Sequence, residues 1–253
     1  MARFNGKIAL VTGASSGIGR ATALAFAREG AAVAVASRRE AEGRETVAQI
    51  ERAGGKGLFV QADVSREADV ARLVETAVAR FGRLDFAFNN AGVEGKGAPV
   101  ADETEHNYEQ VFGINVKGTL LSMKHELRAM QKGGGGAIVN VSSIVGHIAF
   151  PGASVYTASK HAVIGLTRAL AVEVALKGIT ANAICPGPIR TGMTAPIPEE
   201  AKQKWARRNV PMKRYGEPEE IAHSVLSLVL PAASFITGTY LVVDGGLMAL
   251  NTH

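Results

Sequence analysis

Short aliphatic runs alternate with helix-forming segments along nearly the whole chain, and this alternation limits the folds that the sequence can adopt. Strand-like runs occur at residues 8–11, 32–36, 57–61, 84–88, 137–141, 179–184 and 240–243. Helical patterns follow residue 19 and occupy residues 40–53, 67–81, 104–131, 155–176, 199–208 and 218–230. Repeated strand and helix pairs build a parallel sheet that is covered by helices on both faces. We therefore predict an α/β fold with about seven parallel strands.

The composition favours one domain and argues against several classes of partner. A chain of 253 residues with 47% hydrophobic content can bury one large core, and we see no linker or repeat, so we expect one domain over residues 1–253. The net charge of +5 is scattered and forms no basic stripe, so nucleic acid binding is not expected. The histidines form neither an HxxxH nor an HExxH motif, and no metal site is expected.

The chain also has the features of a protein from a reducing compartment. Its single cysteine, Cys185, cannot form an internal disulfide and lies in an apolar run where a buried thiol is expected. The apolar run at the amino terminus is too short for a secretion signal. No run approaches the ~18 apolar residues that a membrane helix needs. We expect a soluble, cytoplasmic protein without a membrane partner.

A glycine-rich turn, TGASSGIG, lies between the first strand and the first helix. Its glycines, Gly13, Gly17 and Gly19, allow a ligand to approach the backbone closely. The amide groups and the positive dipole end of the following helix suit a pyrophosphate. The position of the turn, after a strand near the amino terminus, predicts a dinucleotide site.

The end of the second strand indicates which dinucleotide is bound. In dinucleotide-binding folds an acidic residue there bonds the ribose 2′-hydroxyl, whereas an arginine accommodates a 2′-phosphate. This chain has Ser37, Arg38 and Arg39 at that place and no acid. We therefore favour NADP(H) over NAD(H), with the alternative that both arginines only solvate a loop.

Polar residues follow several of the other predicted strands. Asp63 follows the third strand, Asn89 the fourth and Ser143 the fifth. Because ligands of α/β sheets bind at the carboxyl ends of strands, these residues and the glycine turn are expected to converge on one edge. Asp63 can accept a hydrogen bond from an adenine amino group, or it can cap the next helix.

Tyr156 and Lys160 are four residues apart in a predicted helix and so share one face. An ammonium beside a phenol lowers the pKa of the phenol and prepares it for proton exchange with an alcohol or carbonyl. The alternative is an incidental pair on an exposed helix. Asn115 lies inside another helical pattern, where it is expected to bend the helix and turn its amide inward.

The motifs TGASSGIG, NNAG, Asn115, the serine pair 142–143, YTASK and PGPIRT together resemble the short-chain dehydrogenase/reductase family, in order and across nearly the whole chain. The resemblance implies a Rossmann-type doubly wound sheet, a nicotinamide cofactor and a catalytic set of Asn115, Ser143, Tyr156 and Lys160. In that set Tyr156 exchanges a proton with the substrate oxygen, and Ser143 hydrogen-bonds it. Lys160 lowers the tyrosine pKa and holds the nicotinamide ribose, and Asn115 positions a water.

The same resemblance implies a cofactor site that spans the sheet edge. One departure is Ser16, because many NADP-using members have a basic residue at that position. Beside Tyr156 and Lys160, the implied cofactor-binding residues are Gly13, Ser16, Gly17, Ile18, Gly19, Ser37, Arg38, Arg39, Asp63, Val64, Asn89, Ala91, Gly92, Pro186, Gly187, Ile189 and Thr191.

The substrate is expected to be a small carbonyl compound or secondary alcohol under a lid at about residues 190–216. His147 is expected either to bond a substrate hydroxyl or to face water. A 3-oxoacyl carrier-protein reductase is an alternative, with basic residues such as Arg128 and Arg207 for docking, and a non-catalytic NADP(H) sensor is a more distant one. The resemblance and the helices at 104–131 and 155–176 suggest a homotetramer. The residues predicted for the substrate pocket are Val93, Glu94, Ile144, His147, Phe150 and Met193.

Overall fold

The computed structural model describes residues 2–250, and the strands of these residues form one seven-stranded sheet. Met1 and residues 251–253 lie outside the described residues, so the predicted domain of 1–253 is seen over 2–250. Neighbouring strands are parallel, in the order β3-β2-β1-β4-β5-β6-β7. The predicted α/β fold is confirmed. The strands are β1 (Ile8–Thr12), β2 (Ala32–Ser37), β3 (Lys56–Gln61), β4 (Phe86–Asn89), β5 (Gly136–Val141), β6 (Ile179–Pro186) and β7 (Tyr240–Val243).

Helices cover both faces of the sheet and give it two apolar cores. On one face Val11 packs in a core with Phe26 and Ile221 of the helices. On the other face Leu10 packs with Leu73 and Met130. Because neighbouring strand residues point to opposite faces, an aliphatic run such as β1 supplies both cores at once. The helices are α1 (Gly17–Arg28), α2 (Glu40–Arg52), α3 (Glu67–Phe81), α4 (Glu105–Phe112), α5 (Gly118–Gly133), α6 (Ser154–Val174), α7 (Glu199–Asn209) and α8 (Pro218–Leu228).

The long helical pattern at residues 104–131 is interrupted where the sequence suggests a break. One wide turn of π-helix, Gly113–Lys117, joins α4 to α5 and contains Asn115. Such turns are rare in proteins, and those that occur often lie at functional sites. The interruption brings Asn115 into the interior, where only 1% of its surface is exposed.

The strand order reverses between β1 and its two neighbours, β2 and β4, which places a crevice at the carboxyl ends of these strands. Among the described residues, no helix is both long and apolar enough to cross a bilayer. The same residues contain no group of three His, Cys, Asp or Glu side chains that could hold a metal ion.

Candidate active site

A cavity of about 600 Å³ lies at the carboxyl ends of the strands. Segments that follow β1 to β6 contribute to its wall, and α6 contributes Tyr156 and Lys160. The fold therefore gathers at one edge most of the residues that the sequence singles out. The predicted residues that line the cavity are Gly13, Ser16, Gly17, Ile18, Ser37, Arg38, Arg39, Asp63, Val64, Ala91, Gly92, Val93, Glu94, Ser143, Tyr156, Lys160, Pro186, Gly187, Ile189, Thr191 and Met193.

The glycine turn after β1 forms a cradle with little room for side chains. Gly13 and Gly17 have φ angles of 64° and 52°, which residues with a Cβ rarely adopt. A Cβ on Gly13 would lie 2.8 Å from Nδ2 of Asn90. Ser16 forms no side-chain cap on α1, so the amides of the first turn can serve a ligand. This backbone cradle at a helix N-terminus fits the pyrophosphate of a dinucleotide.

Gly19 has a different place from the one predicted. It is not among the residues that line the cavity, and a Cβ there would collide with the carbonyl oxygen of Gly13. Gly19 thus allows the turn to pack closely on α1, behind the surface that a ligand would touch.

Asn89 also lies outside the cavity, against prediction. Its side chain is buried and donates hydrogen bonds to Glu126 at 2.9 Å and to Asn140 at 3.0 Å. The physical reason is strand alternation, which turns Asn89 to the same face of the sheet as Ala87, beneath α5. The next residue, Asn90, lines the cavity instead.

Asn90 fastens the turn after β4 to the turn after β1. Its Nδ2 atom donates to the backbone oxygens of Thr12 and Gly13 at 3.1 and 3.2 Å. In return, the hydroxyl of Thr12 accepts from the amides of Asn90 and Ala91 at 3.0 and 3.1 Å. We did not predict these roles of Thr12 and Asn90, although both residues stand inside the recognised motifs and the alternation of β4 is a signal for Asn90.

Tyr156 and Ser143 meet at the cavity wall. The side chain of Ser143 acts on the phenol of Tyr156 in the direction that lowers the tyrosine pKa. Burial and the charge of Glu94 act in the opposite direction and are together stronger, so the pKa of Tyr156 is raised above its ordinary value. Tyr156 therefore keeps its proton in this structure.

Lys160 shares a helix face with Tyr156, as predicted. Contrary to the prediction, it does not lower the pKa of Tyr156 in this structure. Its Nζ atom lies 5.5 Å from the centroid of the Tyr156 ring and donates to the backbone oxygen of Val141 at 3.0 Å. Burial lowers the pKa of Lys160 itself to about 8. Desolvation by burial is thus the main cause of both pKa shifts.

Asn115 lies directly behind Gly92 and not at the cavity surface. Its amide forms two hydrogen bonds of 2.8 Å with the backbone of Val93 and one of 3.0 Å with Ser159. A Cβ on Gly92 would lie 3.2 Å from Oδ1 of Asn115 and 3.5 Å from Nζ of Lys160. Asn115 and Lys160 therefore flank the same point of the wall.

The two arginines after β2 differ in their contacts. Arg39 donates to the hydroxyls of Ser15 and Ser16 at 2.9 and 2.7 Å, and its guanidinium lies 3.5 Å from Glu42. Arg38 is exposed, and among residues 2–250 its side chain has no hydrogen-bond or ion-pair partner. Together they give the β2 end of the cavity a positive charge.

One of the two alternatives considered for Asp63, a contact with the adenine amino group, stays a prediction. Asp63 lines the cavity, and its Oδ1 atom accepts from the amide and hydroxyl of Ser65 at 2.9 and 2.7 Å. Asp63 thus stabilises the turn before α3, although the residue that caps this helix is Arg66.

Three residues predicted for the substrate pocket, Ile144, His147 and Phe150, are not among those that line the cavity. The ring of His147 packs 4.2 Å from that of Tyr240, and its Nε2 atom lies 3.4 Å from the buried thiol of Cys185. In this structure His147 is therefore in contact with Tyr240 and Cys185 and is only partly exposed, and its contact with a substrate hydroxyl stays a prediction. Ile144 is buried, whereas the side chain of Phe150 is exposed outside the cavity.

The predicted lid segment is anchored at its base and reaches the cavity. Ile189 and Gly216 pair as a parallel bridge, and Arg190 binds the carboxylate of Glu199 at the start of α7. Between them, Met193 and its neighbours Gly192 and Thr194 line the cavity. The segment can therefore shape the substrate end of the site.

Comparisons with known proteins agree with this geometry. Residues 13–248 match a family model described as enoyl-(acyl carrier protein) reductase. A short chain dehydrogenase/reductase from Aspergillus oryzae is 43% identical, over 96% of this chain and 95% of its own. A cyclohexanol dehydrogenase from an Acinetobacter species is 41% identical, over 96% and 95%. The crystal structure of levodione reductase superposes with a TM-score of 0.93 at 38% identity, over 98% and 99% of the two chains.

Each of these matches extends over nearly the full length of both chains, so the likeness concerns the whole fold. The relatives are named as oxidoreductases of alcohols or carbonyl compounds. The chain belongs to the short-chain dehydrogenase/reductase family, whose members use a nicotinamide nucleotide, and it is an oxidoreductase of alcohol or carbonyl substrates.

Proposed function

We propose that this protein transfers a hydride between NADP(H) and a small ketone or secondary alcohol, with Tyr156 as the proton donor and acceptor. The observation that carries the proposal is that Tyr156, Ser143 and the glycine cradle line one and the same cavity. The cavity thus combines a group that exchanges protons with a surface that fits a dinucleotide.

The cofactor supplies or takes up the hydride when it is bound. In reduction, the phenol of Tyr156 gives its proton to the carbonyl oxygen, and the hydroxyl of Ser143 donates a hydrogen bond to the same oxygen. A tyrosine that keeps its proton is suited to this step. In oxidation, Tyr156 accepts the proton of the alcohol, so it must first lose its own.

Lys160 and Asn115 support Tyr156 from the side of Gly92. With a pKa of about 8, the amine of Lys160 is mostly charged at neutral pH and can bond ribose hydroxyls in the cavity. Asn115 holds the backbone at Val93 and fixes the wall that Lys160 flanks. We assign to Asn115 the further role of positioning a water next to Lys160.

The preference for NADP(H) rests on the charge at the end of β2. Arg38 has a guanidinium without a partner among the described residues, and Arg39 is turned to Ser15 and Ser16 at the cradle. No acidic residue stands at this strand end to bond a ribose 2′-hydroxyl. A 2′-phosphate would form charge-assisted bonds with this pair.

For the substrate we propose a small, neutral ring ketone or ring alcohol. The cyclohexanol dehydrogenase to which the chain is similar supports this class. At the substrate end, Val93 and Met193 supply apolar surface, and Glu94 adds a negative charge that disfavours carboxylates and phosphates. The basic residues considered for carrier-protein docking, Arg128 of α5 and Arg207 of α7, are scattered over two helices, and we do not propose a carrier-linked substrate.

We also propose that the protein assembles as a homotetramer. Large apolar side chains are exposed on the helices and loops around β7, with Val172 on α6 at 82%, Leu176 at 102% and Phe235 at 101%. Exposed apolar surface of this kind is typical of an interface. Sedimentation equilibrium tests the idea, and a monomer at micromolar concentration would refute it.

A panel of ring and open-chain ketones and alcohols, assayed with NADPH and NADH, tests the proposed function. We expect turnover of ring ketones with NADPH and little turnover of the matching carboxylated ketones. Absence of turnover with every ketone and alcohol, by a folded protein that binds NADPH, would refute the catalytic role and favour a cofactor sensor.

A further inference from the structure

A buried carboxyl lies beneath the cavity, on the face of the sheet that α5 covers. Glu126 has no exposed surface, and its Oε2 atom accepts a hydrogen bond of 2.9 Å from Nδ2 of Asn89. Its Oε1 atom has no hydrogen-bond partner among residues 2–250, and the buried Oδ1 atom of Asn89 has none either. Two unpaired acceptors, on side chains that are already bonded to each other, are costly in a protein interior and require an explanation.

A proton on Glu126 satisfies both atoms. A carboxylic acid carries an O–H donor beside a carbonyl acceptor, and a primary amide carries the matching pair. Asn89 already donates to Glu126, so a bond from Oε1–H to Oδ1 of Asn89 completes the match. We propose that Glu126 is held as a neutral carboxylic acid, paired with Asn89 through two hydrogen bonds, and that this pair positions the strand ends that form the cavity.

The surroundings of Glu126 favour the neutral acid. Burial raises the pKa of Glu126 to about 7, and the hydrogen bond from Asn89 is what opposes the rise. No cation among residues 2–250 forms a salt bridge with it. Ionisable groups on the surrounding elements have other partners, namely Glu67 on α3, Asp85 just before β4, Lys124 and His125 on α5, and Lys160 on α6.

The pair continues into a buried chain of hydrogen bonds across the sheet. Nδ2 of Asn89 also donates to Oδ1 of Asn140 at 3.0 Å. Nδ2 of Asn140 then donates to the hydroxyl of Thr167 at 2.9 Å. The chain thus links α5, β4, β5 and α6, and all four of its side chains are buried.

These four elements carry the groups that the proposed function uses. β4 leads into Asn90 and Gly92, β5 leads into Ser143, α6 carries Tyr156, and α5 continues from the turn that holds Asn115. Glu126 touches none of these groups, so it is a positioning residue, and this role rests on the proposed function. Small displacements of reacting groups lower the reaction rate strongly. A buried cross-link that fixes the positions of these groups should therefore support turnover.

Glu126→Gln is the informative variant, because glutamine keeps the shape of the neutral acid and its donor on the Asn89 side. We expect wild-type protein at pH 6 to show the infrared C=O band of a buried carboxylic acid, absent from Glu126→Gln and present in the exposed control Glu173→Gln. We expect Glu126→Gln to keep its kcat within about twofold, whereas Glu126→Leu, which loses both bonds, falls by about tenfold or more.

The pH dependence of unfolding gives a second readout. A carboxyl whose pKa is higher in the folded protein than in the unfolded chain binds more protons when folded, so stability falls as pH rises from about 4.5 to about 7 and then levels off. The fall attributable to Glu126 should be missing from Glu126→Gln and present in Glu173→Gln.

The infrared band and the two variants test the protonation of Glu126 and its positioning role separately. If the acid band is absent and Glu126→Gln is less stable than wild type at pH 6, Glu126 is ionised and the proposal is wrong. If Glu126→Leu folds and turns over like wild type, the pair does not position the site. Should Glu126→Leu fail to fold, the band and the Glu126→Gln profile still decide the protonation. These two readouts require no substrate, so a failure of the proposed function would leave them interpretable.

Discussion

The ammonium of Lys160 donates a hydrogen bond of 3.0 Å to the backbone oxygen of Val141, the last residue of β5. The hydroxyl of Ser142 donates to the backbone oxygen of Lys160 at 2.8 Å and adds a second link between the same elements. The helix that carries Tyr156 is therefore tied to the strand that leads into Ser143. This explains how a tyrosine on a helix and a serine after a strand are held at the same cavity wall.

The buried amine of Lys160 should be visible in the pH dependence of unfolding. Burial lowers its pKa from 10.5 to about 8, so between these values the unfolded chain binds more protons than the folded protein. The free energy of unfolding should therefore increase as pH rises through this window, by on the order of 3 kcal/mol. Denaturant unfolding of cofactor-free protein should show this rise in wild type and in the exposed control Lys117→Met, but not in Lys160→Met. An identical rise in Lys160→Met would contradict the shift.

Cofactor preference should depend on Arg38. Loss of a charge-assisted bond to a 2′-phosphate costs about 1.5–3 kcal/mol, or roughly 10-fold to 100-fold in affinity. We expect Arg38→Ala to reduce kcat/KM for NADPH by that factor and to leave kcat/KM for NADH nearly unchanged. Arg44→Ala is the matched control, because Arg44 is also an exposed arginine near β2 but pairs with Glu40 outside the cavity. A wild-type enzyme that prefers NADH would overturn the assignment of the cofactor.

The glycine cradle should not tolerate a methyl group at Gly13. Gly13→Ala places a Cβ at a φ of +64° and 2.8 Å from Nδ2 of Asn90, so the two fastened turns must separate. We expect cofactor affinity to fall by about tenfold or more. Gly54→Ala isolates backbone strain, since Gly54 has a φ of +81° with no atom within 4 Å of the new Cβ. That control should lose about 1 kcal/mol of stability and no cofactor affinity, and equal effects of the two variants on affinity would argue against the cradle.

Asn115 should be needed for the shape of the wall at Val93. Asn115→Leu removes hydrogen bonds to both backbone groups of Val93 and to Ser159, and leaves buried polar groups without partners. We expect a loss of on the order of 3 kcal/mol in the free energy of unfolding. Activity measured where the variant is still folded should also fall. Unchanged stability would mean that the wide helical turn forms without the amide.

Fold and site differ in how far the sequence predicts them. The aliphatic runs predict the strands well because a parallel sheet buries both faces of its central strands, such as β1 and β2, and α3 has the predicted limits. The edge at which ligands bind follows from the direction of the strands alone. Side-chain direction is harder, as Asn89 shows, because a difference of one residue in a strand reverses the face.

Electrostatics within the site could not be predicted from spacing. The interval from Tyr156 to Lys160 predicts a shared helix face, which the structure has, but not the depth of burial that raises one pKa and lowers the other. His147 is a second example, because its contacts with Cys185 and Tyr240 join segments that are far apart in sequence. Such contacts depend on tertiary packing and leave no local signal.

The central proposal is that Tyr156 exchanges the proton with the substrate oxygen, and Tyr156→Phe tests it most directly. Phenylalanine keeps the ring and removes only the hydroxyl. Reduction of a ring ketone should be followed in a single turnover with saturating NADPH, together with the dissociation constant of NADPH. We predict a rate at least about 100-fold below wild type, with the dissociation constant changed by less than about threefold. A rate equal to that of wild type would contradict the assignment of Tyr156.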